Sequence, residues 1–436
     1  MHCAHDGAPG IVCWNGDFYR WDQWWARWPQ DAVRAAMYTW LEGCCDLKGG
    51  EIKPDRRLIN DMIDALAAAC HAEIPGEPAM LPGCDLDGAA DDYLVLRNGI
   101  VHLPTRKLLP ANPRLFTTRA LPLVDFDPEA GAPQAFLAFL KTLWPDDPEA
   151  IELLQEWFGL CALTSDTRHQ KALLLIGPRR SGKGTLLRVL RELAGAANVC
   201  SPTFASLGSH FGLESLIGKR VAMITDARLS GRADVAAIAE AILRITGEDA
   251  VTVPRKHRTD WTGRLPVRFI IATNELPALA DASAALSSRF LILRLTRSFY
   301  GHEDHDLTDR LLAELPGILL WAMDGLDRLR ARGRFVQPAS GQELVAELES
   351  IASPITMFVR ECCVVSPAAR VETQALFSRW REWCHDAGRD HPGTAQNFGR
   401  QLRAALPEVT TPQARIGGRK VRVFQGIRLR SVTDPD

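Results

Sequence analysis

The most constraining stretch of this chain is Gly177-Pro178-Arg179-Arg180-Ser181-Gly182-Lys183-Gly184-Thr185. It follows the apolar run Lys171-Ala172-Leu173-Leu174-Leu175-Ile176 and leads into Leu186-Leu187-Arg188-Val189-Leu190. A short apolar run of this kind reads as a buried parallel strand, and the run after the loop reads as a helix. A strand, a glycine-rich loop and a helix with the spacing G-x-x-x-x-G-K enclose a phosphate chain. The loop N–H groups and the helix N-terminus point at the anion, and Lys183 reaches the outer phosphates. Gly182 lets the backbone approach closely. The expected fold class is therefore α/β, with this loop at its centre.

One position departs from the usual pattern. Gly184 stands where a Ser or Thr normally holds magnesium, and Thr185 supplies the nearest hydroxyl, directly or through water. Some nucleoside-monophosphate kinases share the Gly-Lys-Gly-Thr ending, so the loop alone does not choose between a kinase and a motor. Downstream, Val221-Ala222-Met223-Ile224-Thr225-Asp226 is a second buried strand ending in a carboxylate, the Walker B arrangement that binds magnesium or polarises the attacking water. Ala227 follows, so Asp226 does both jobs or a distant acid helps. A third apolar strand, Val267 to Ala272, ends in Thr273-Asn274. The Asn274 amide there can orient a lytic water. Arg289, in Ser287-Ser288-Arg289-Phe290, stands before the apolar Leu291-Ile292-Leu293 and suits an arginine finger acting on a neighbour's nucleotide. Alone, Arg289 reads equally well as a salt-bridge residue. Its place in an ordered series favours the finger.

The 436 residues carry 51 Lys+Arg against 53 Asp+Glu, so no global basic field advertises nucleic acid and any such site must be a local patch. One patch is Arg255-Lys256-His257-Arg258, between an alternating strand and the turn-rich Thr262-Gly263-Arg264. It reads as a basic hairpin tip suited to following phosphates, although such a run taken alone is more often a solvated face. The second patch is C-terminal. Residues 366–431 hold twelve Lys or Arg against five Asp or Glu. Helical patterns with Ile355, Phe358, Val359 and Cys362, then Leu376, Trp380 and Trp383, then Phe398, Leu402 and Leu406 precede a basic hairpin, Arg415 to Val423. Three helices and a ribbon suggest a winged helix. Arg400 and Arg403 face outward and Arg419, Lys420 and Arg422 lie on the ribbon, ready for duplex DNA or for a primase or initiator protein.

Upstream, Trp14, Trp21, Trp24, Trp25, Trp28 and Trp40 form a cluster. Packing is the favoured reading over base stacking, because no basic residues interleave with them regularly. Asn98-Gly99 between alternating apolar residues marks a hairpin. Phe136, Leu137, Phe139, Leu140 and Leu143 form a helical stripe. Asp147 then caps a second helix that opens with Pro148 and carries Ile151, Leu154 and Phe158 along one face. The eleven cysteines show no C-x-x-C and read as reduced thiols, and no stretch approaches the ~20 apolar residues of a membrane span. A cytoplasmic protein of a bacterial host is the expectation.

The order of the motifs resembles a superfamily 3 helicase: glycine loop, Walker B, Thr246-Gly247-Glu248-Asp249 before a basic hairpin, a strand ending in Thr-Asn, then Arg-Phe. It is closer still to the helicase portion of the phage/plasmid primase family, which includes the poxvirus primase-helicases. The Trp14-Asn15-Gly16-Asp17-Phe18-Tyr19 start and the Leu96-to-Leu103 run are similar to that family's helicase-preceding domain, so the likeness covers nearly the whole chain. The resemblance implies a P-loop NTPase core of the AAA+-like superfamily 3 type, an α/β N-terminal domain and a C-terminal winged helix, expected at residues 1–130, 131–345 and 350–431. It implies a homo-oligomeric ring, usually a hexamer. ATP and Mg2+ would lie between subunits, with Lys183, Asp226 and Asn274 on one side, Thr185 and Asp226 as metal ligands, and Arg289 from the neighbour. The Arg255-Lys256-His257-Arg258 hairpin would line a central channel holding single-stranded DNA. Ser288 stands where a second Arg is common. The family's longer members carry a priming polymerase upstream, and this chain is expected not to prime by itself. Two other readings stand beside the helicase. One is an ATP-switched DNA-binding or assembly ring that does not unwind. The other is a small-molecule kinase, suggested only by Gly-Lys-Gly-Thr, which leaves the hairpin and the C-terminal region without a purpose.

Overall fold

The structure is a computed structural model that describes residues 7–45, 48–225, 235–256, 259–277, 286–352, 354–386, 392–416 and 419–431. The N-terminal region opens with an antiparallel meander of β1 (Ile11–Trp14), β2 (Asp17–Asp22) and β3 (Trp24–Trp28). Two helices, α1 (Gln30–Leu41) and α2 (Arg56–Ala69), bury Val33, Ile59 and Ile63 against Ile11, Cys13 and Phe18. The short pair β4 (Ala79–Met80) and β8 (Leu115–Phe116) brackets a second meander of β5 (Tyr93–Leu96), β6 (Gly99–His102) and β7 (Lys107–Leu109). Asn98-Gly99 makes the β5–β6 turn as expected. Gly99 is obligatory because a Cβ there would stand 2.4 Å from the Leu109 carbonyl. The tryptophans mostly pack: Trp25 is buried and Trp14 stacks edge-on to Phe116, while Trp40 is exposed.

Helices α3 (Gln134–Leu143) and α4 (Pro148–Leu163) lead into a parallel sheet, which among the described residues has five strands. In chain order these are β9 (Ala172–Ile176), β10 (Val199–Cys200), β11 (Val221–Ile224), β14 (Arg268–Thr273) and β15 (Phe290–Arg294), and their order across the sheet is β10-β11-β14-β9-β15. The continuous apolar runs have a direct cause, because both faces of the sheet are covered. Leu173, Leu175, Met223, Ile270 and Leu293 enter one core. Their alternates Ala172, Leu174, Ile224, Ile271 and Ile292 enter another. Against the first face lie α3, α4, α5 (Lys183–Leu193), α8 (Leu307–Leu312) and α9 (Leu315–Arg332). On the second lie α6 (Phe204–Leu207), α7 (Val235–Thr246), the hairpin of β12 (Ala250–Val253) with β13 (Trp261–Arg264), and α10 (Gln342–Ala352).

Helix α4 corrects one expectation. Asp147 caps it, its side chain accepting from the Ala150 N–H at 3.1 Å. The helix is not amphipathic, however: residues 153–163 are buried all round. The first sheet face, α9 and the β5–β6 residues Leu94, Leu96 and Val101 all pack into the same core as α4. Glycines permit the close crossing of α4 and α9, since a Cβ on Gly159 would stand 2.4 Å from the Ala322 carbonyl and one on Gly325 2.5 Å from Gln155. The stretch from Gly333 to Pro338, whose Gly and Pro by residue type read as a linker, is docked. Gln337 exchanges hydrogen bonds with the Ile292 backbone at 2.7 and 2.9 Å and so occupies the open edge of β15.

The C-terminal region has α11 (Pro354–Cys362), α12 (Thr373–Asp386) and α13 (Ala395–Ala405) around a sheet of order β16-β18-β17. Its strands are β16 (Cys363–Glu372), β17 (Gln413–Ile416) and β18 (Arg419–Leu429). Ile355, Phe358, Leu376, Trp380, Trp383, Phe398 and Leu402 form its core, as the helical patterns indicate. Strand β16 was not expected from sequence. Among the described residues no helix is long and apolar enough to cross a membrane.

The α4–α9 crossing should be the least tolerant of added volume. Gly159→Ala should lower the melting temperature by about 3–8 °C, whereas Gly131→Ala, where a Cβ meets nothing within 4 Å, should leave it unchanged in the same thermal melt.

Candidate functional site

The glycine loop closes the carboxyl end of β9, the strand between β14 and β15. Gly177 is pinned, its N–H donating to the Thr273 carbonyl at 3.2 Å. A Cβ on it would lie 2.5 Å from the Leu295 carbonyl oxygen. Gly182 has φ +89°, and a Cβ there would press on Leu143 and Phe139 of α3 at 3.0 and 3.1 Å. Both glycines are thus required by geometry. Pro178, Arg179, Arg180 and Gly184 are exposed, and Ser181 is buried. A second segment braces the loop from outside. The Ser298 hydroxyl donates to the Arg179 carbonyl and the Phe299 N–H to the Arg180 carbonyl, both at 2.8 Å.

Lys183 is half-buried at the first turn of α5 and curls into the loop. Its Nζ donates to the carbonyls of Gly177 (2.7 Å) and Pro178 (2.8 Å), to Ser181 Oγ (3.1 Å) and to Asn274 Oδ1 (3.3 Å). Burial pulls its ammonium below the ordinary lysine range. The fold therefore brings together Lys183 and Asn274, residues 91 positions apart, because β14 lies beside β9. Thr185 is half-exposed one residue on, and its Oγ1 accepts from Arg188 Nη2 at 3.2 Å. Strand β11 ends beyond β14, with Thr225 exposed at its carboxyl end, and Asp226 lies outside the described residues.

Arg289 is not at this site. Phe290 pairs with Ala172, so Arg289 lies level with Lys171 at the amino end of the sheet. That is about 20 Å along the strand from Gly177. It is half-buried, and its Nη1 donates to Gln170 Oε1.

The β12–β13 hairpin projects its tip toward the N-terminal region. Arg255 Nε donates to the Thr259 carbonyl at 2.9 Å, and the Lys256 side chain is exposed. His257 and Arg258 lie outside the described residues. A cleft of about 600 Å3 separates the tip from the β1–β2 turn and is lined by Asn15, Asp17, Arg27, Trp28, Arg255 and Thr259 among others. In the C-terminal region Arg400 and Arg403 are exposed on α13, opposite Phe398 and Leu402. Lys420 and Arg422 are exposed on β18, and the Arg419 side chain lies outside the described residues. These cations form the outer surface of one helix and one strand.

Sequence reasoning missed a buried polar joint at the amino end of the sheet. Arg220, just before β11, donates to Glu77 Oε1 at 2.6 Å and Ser165 Oγ at 3.3 Å. Glu77 also accepts from the Thr118 N–H and hydroxyl, both at 2.5 Å. Arg119 and Arg268 are buried beside them, and burial pulls each guanidinium down to about 10. Arg220 is 143 residues from Glu77 and 55 from Ser165, and Glu77 is 41 from Thr118, so no local pattern could have shown the joint.

Three family models match the chain. Residues 8–145 match "D5 N terminal like", residues 175–289 a family of unknown function (DUF5906), and residues 352–424 "Poxvirus D5 protein-like". Among solved structures, the apo C-terminal region of NrS-1 is similar over nearly the full length. One structure has 13% identity, TM-score 0.56 and 96% of each chain covered, and its A form has 13% identity, TM-score 0.53 and 94% of each covered. At that identity the likeness speaks for the fold.

Removing Glu77 would leave Arg220 charged and buried. Glu77→Ala should cost about 3–5 kcal/mol of stability, read from the denaturant midpoint.

Proposed function

We propose, on the premise that this chain belongs to the D5-like primase-helicase family, that it is an ATP-dependent, ring-forming DNA helicase that translocates on single-stranded DNA during replication of a phage, plasmid or other mobile element. The D5-like family models support a replication enzyme that acts on DNA. The helicase reading is carried by the meeting of Lys183 and Asn274 at the mouth of the glycine loop, with Arg289 at the far end of the same sheet. A nucleotide in the loop then needs its arginine from another copy of the chain, which the kinase reading does not ask for.

In this reading the core is a P-loop NTPase. The sheet order β10-β11-β14-β9-β15 supports it, because the loop strand lies between the strand that ends in Asn274 and the strand that starts after Arg289. Phosphate oxygens take the place of the loop carbonyls on the Lys183 ammonium, and the anion offsets the burial that now depresses it. Asn274 holds a water in line with the terminal phosphate. Mg2+, when bound, would supply charge neutralisation for the phosphates there. Thr185 Oγ1 would fit as a neutral oxygen ligand once the exposed Arg188 side chain turns away, and Asp226, two residues after β11 in sequence, is the expected second ligand. Arg289 of a neighbouring subunit stabilises the charge that develops on the transferred phosphoryl group.

DNA enters the reading at two places. The hairpin presents Arg255 and Lys256 beyond the second sheet face, His257 and Arg258 follow them in sequence, and this is where a single strand in a ring channel would be held. The C-terminal region has helices packed on a three-stranded antiparallel sheet, with α13 outward-basic, which supports a winged helix. Duplex DNA, or a primase or initiator protein, is its expected partner. A hexamer is the expected ring. The competing reading, an ATP-switched ring that assembles on DNA without unwinding, rests on Gly184 and on the single acid at Asp226.

Mixing experiments test the shared site. Lys183→Ala and Arg289→Ala rings should each lose ATP turnover by about 10^3-fold or more. A mixture should recover part of it, because some interfaces pair an intact loop with an intact finger. No recovery at any ratio would reject the finger assignment.

A further inference from the structure

Arg289 and the hairpin are separate in sequence, yet one short turn grips both. Residues Thr167 to Gln170 connect α4 to β9 and close with the Gln170 N–H donating to the Thr167 carbonyl at 2.9 Å, with Gln170 at φ +53°. From one end of the turn Gln170 Oε1 accepts from Arg289 Nη1. From the other the Thr167 hydroxyl donates to Glu248 Oε1. Gln170 Nε2 also faces the Gly247 carbonyl at 3.5 Å. Gly247 and Glu248 follow the end of α7 at Thr246, and Ala250 starts β12, which leads to Arg255 and Lys256. The backbone there is tightly wound: Glu248 is at φ +64°, and the Asp249 N–H donates back to the Arg244 carbonyl at 3.0 Å. Lys171, the next residue of the turn, donates to the Ser288 carbonyl beside Arg289.

We propose that the Thr167–Gln170 turn is a relay that ties the position of Arg289 to that of the β12–β13 hairpin. This rests on the reading of Arg289 as a finger for a neighbouring subunit. Thr167 and Gln170 are positioning residues and touch neither nucleotide nor DNA. A hydrogen-bonded turn of four residues moves as a unit. When DNA displaces the hairpin base, Glu248 either breaks from Thr167 or carries the turn with it, and in the second case Gln170 moves the guanidinium. The hairpin of one subunit thereby sets how well that subunit catalyses hydrolysis next door. The relay gives Glu248 a task that needs no nucleotide contact, and it couples two ligands through one chain of contacts.

The test uses the full-length ring and measures ATP turnover with and without oligo(dT), together with a thermal melt for each variant. Thr167→Val is nearly isosteric and removes the hydroxyl, Gln170→Met removes the acceptor, and Thr167→Ser restores the hydroxyl. Thr167→Val and Gln170→Met should keep the DNA-free rate and lower the stimulation by DNA about fivefold or more, while Thr167→Ser should be stimulated like the parent chain. Three results would overturn the relay. Normal stimulation of both variants, with Arg289→Ala still inactive, removes the relay and leaves the finger. Equal losses with and without DNA make the turn a mere support for Arg289. Full activity of Arg289→Ala removes the finger reading and the relay with it. If Gln170→Met melts early, the Thr167→Val and Thr167→Ser pair decides alone.

Discussion

The burial of β9 on both faces and along both edges governs everything else in this protein. Its alternate residues feed two cores, β15 pairs along its whole length, and β14 pairs with it from Leu173 to Ile176. Nothing at β9 can shift without disturbing both layers, so the loop at its carboxyl end starts from a fixed point. That fixity is what gives the two glycines their stringency. Gly177 passes against Leu295 and Gly182 turns left-handed against α3, with no room for a side chain at either place. A loop built this way keeps its N–H groups preorganised, which is the property an anion site needs.

The same strand sets the division of labour that the helicase reading uses. Neighbours in the sheet put Asn274 at one end and Arg289 at the other. In the helicase reading a single copy would hold one half of a hydrolytic site at each pole. Assembly would then be part of catalysis, and a closed ring would let each copy use both halves on different sides. The N-terminal region is fixed to this core by the shared packing of Leu94, Leu96 and Val101 with α4, and by the Glu77–Arg220 pair. Its β1–β2 turn therefore faces the hairpin tip across the cleft at Arg255.

Much of this was legible in the sequence, for physical reasons that can be named. The strands of the parallel sheet are buried on both faces, so each shows as an unbroken apolar run. The loop shows as glycines at fixed spacing, and α4 announces its start through Asp147 and Pro148. What stayed hidden depends on partners far along the chain. The all-round burial of α4 is set by α9 and the β5–β6 hairpin, and the docking of Gln337 by the open edge of β15. Strand β16 was hidden by its own composition. Pro367 and two alanines interrupt its alternation, and the ladder accommodates them with a register shift between Val365 and Arg370. Gln170 and Thr167 carry no pattern at all. Their significance appears only when Arg289 and Glu248 are seen on either side of them. Of the residues proposed from sequence, Lys183 and Asn274 are together, Arg289 is apart from them, and Asp226, His257 and Arg258 lie outside the described residues.

Steady-state ATP hydrolysis at low salt, with and without single-stranded DNA, tests most directly whether nucleotide hydrolysis in this fold serves movement on DNA. Strong stimulation by the single strand is expected, because in the helicase reading the hairpin and the finger work as one mechanical unit. Slow turnover indifferent to DNA would contradict it and would favour a nucleotide-switched assembly instead.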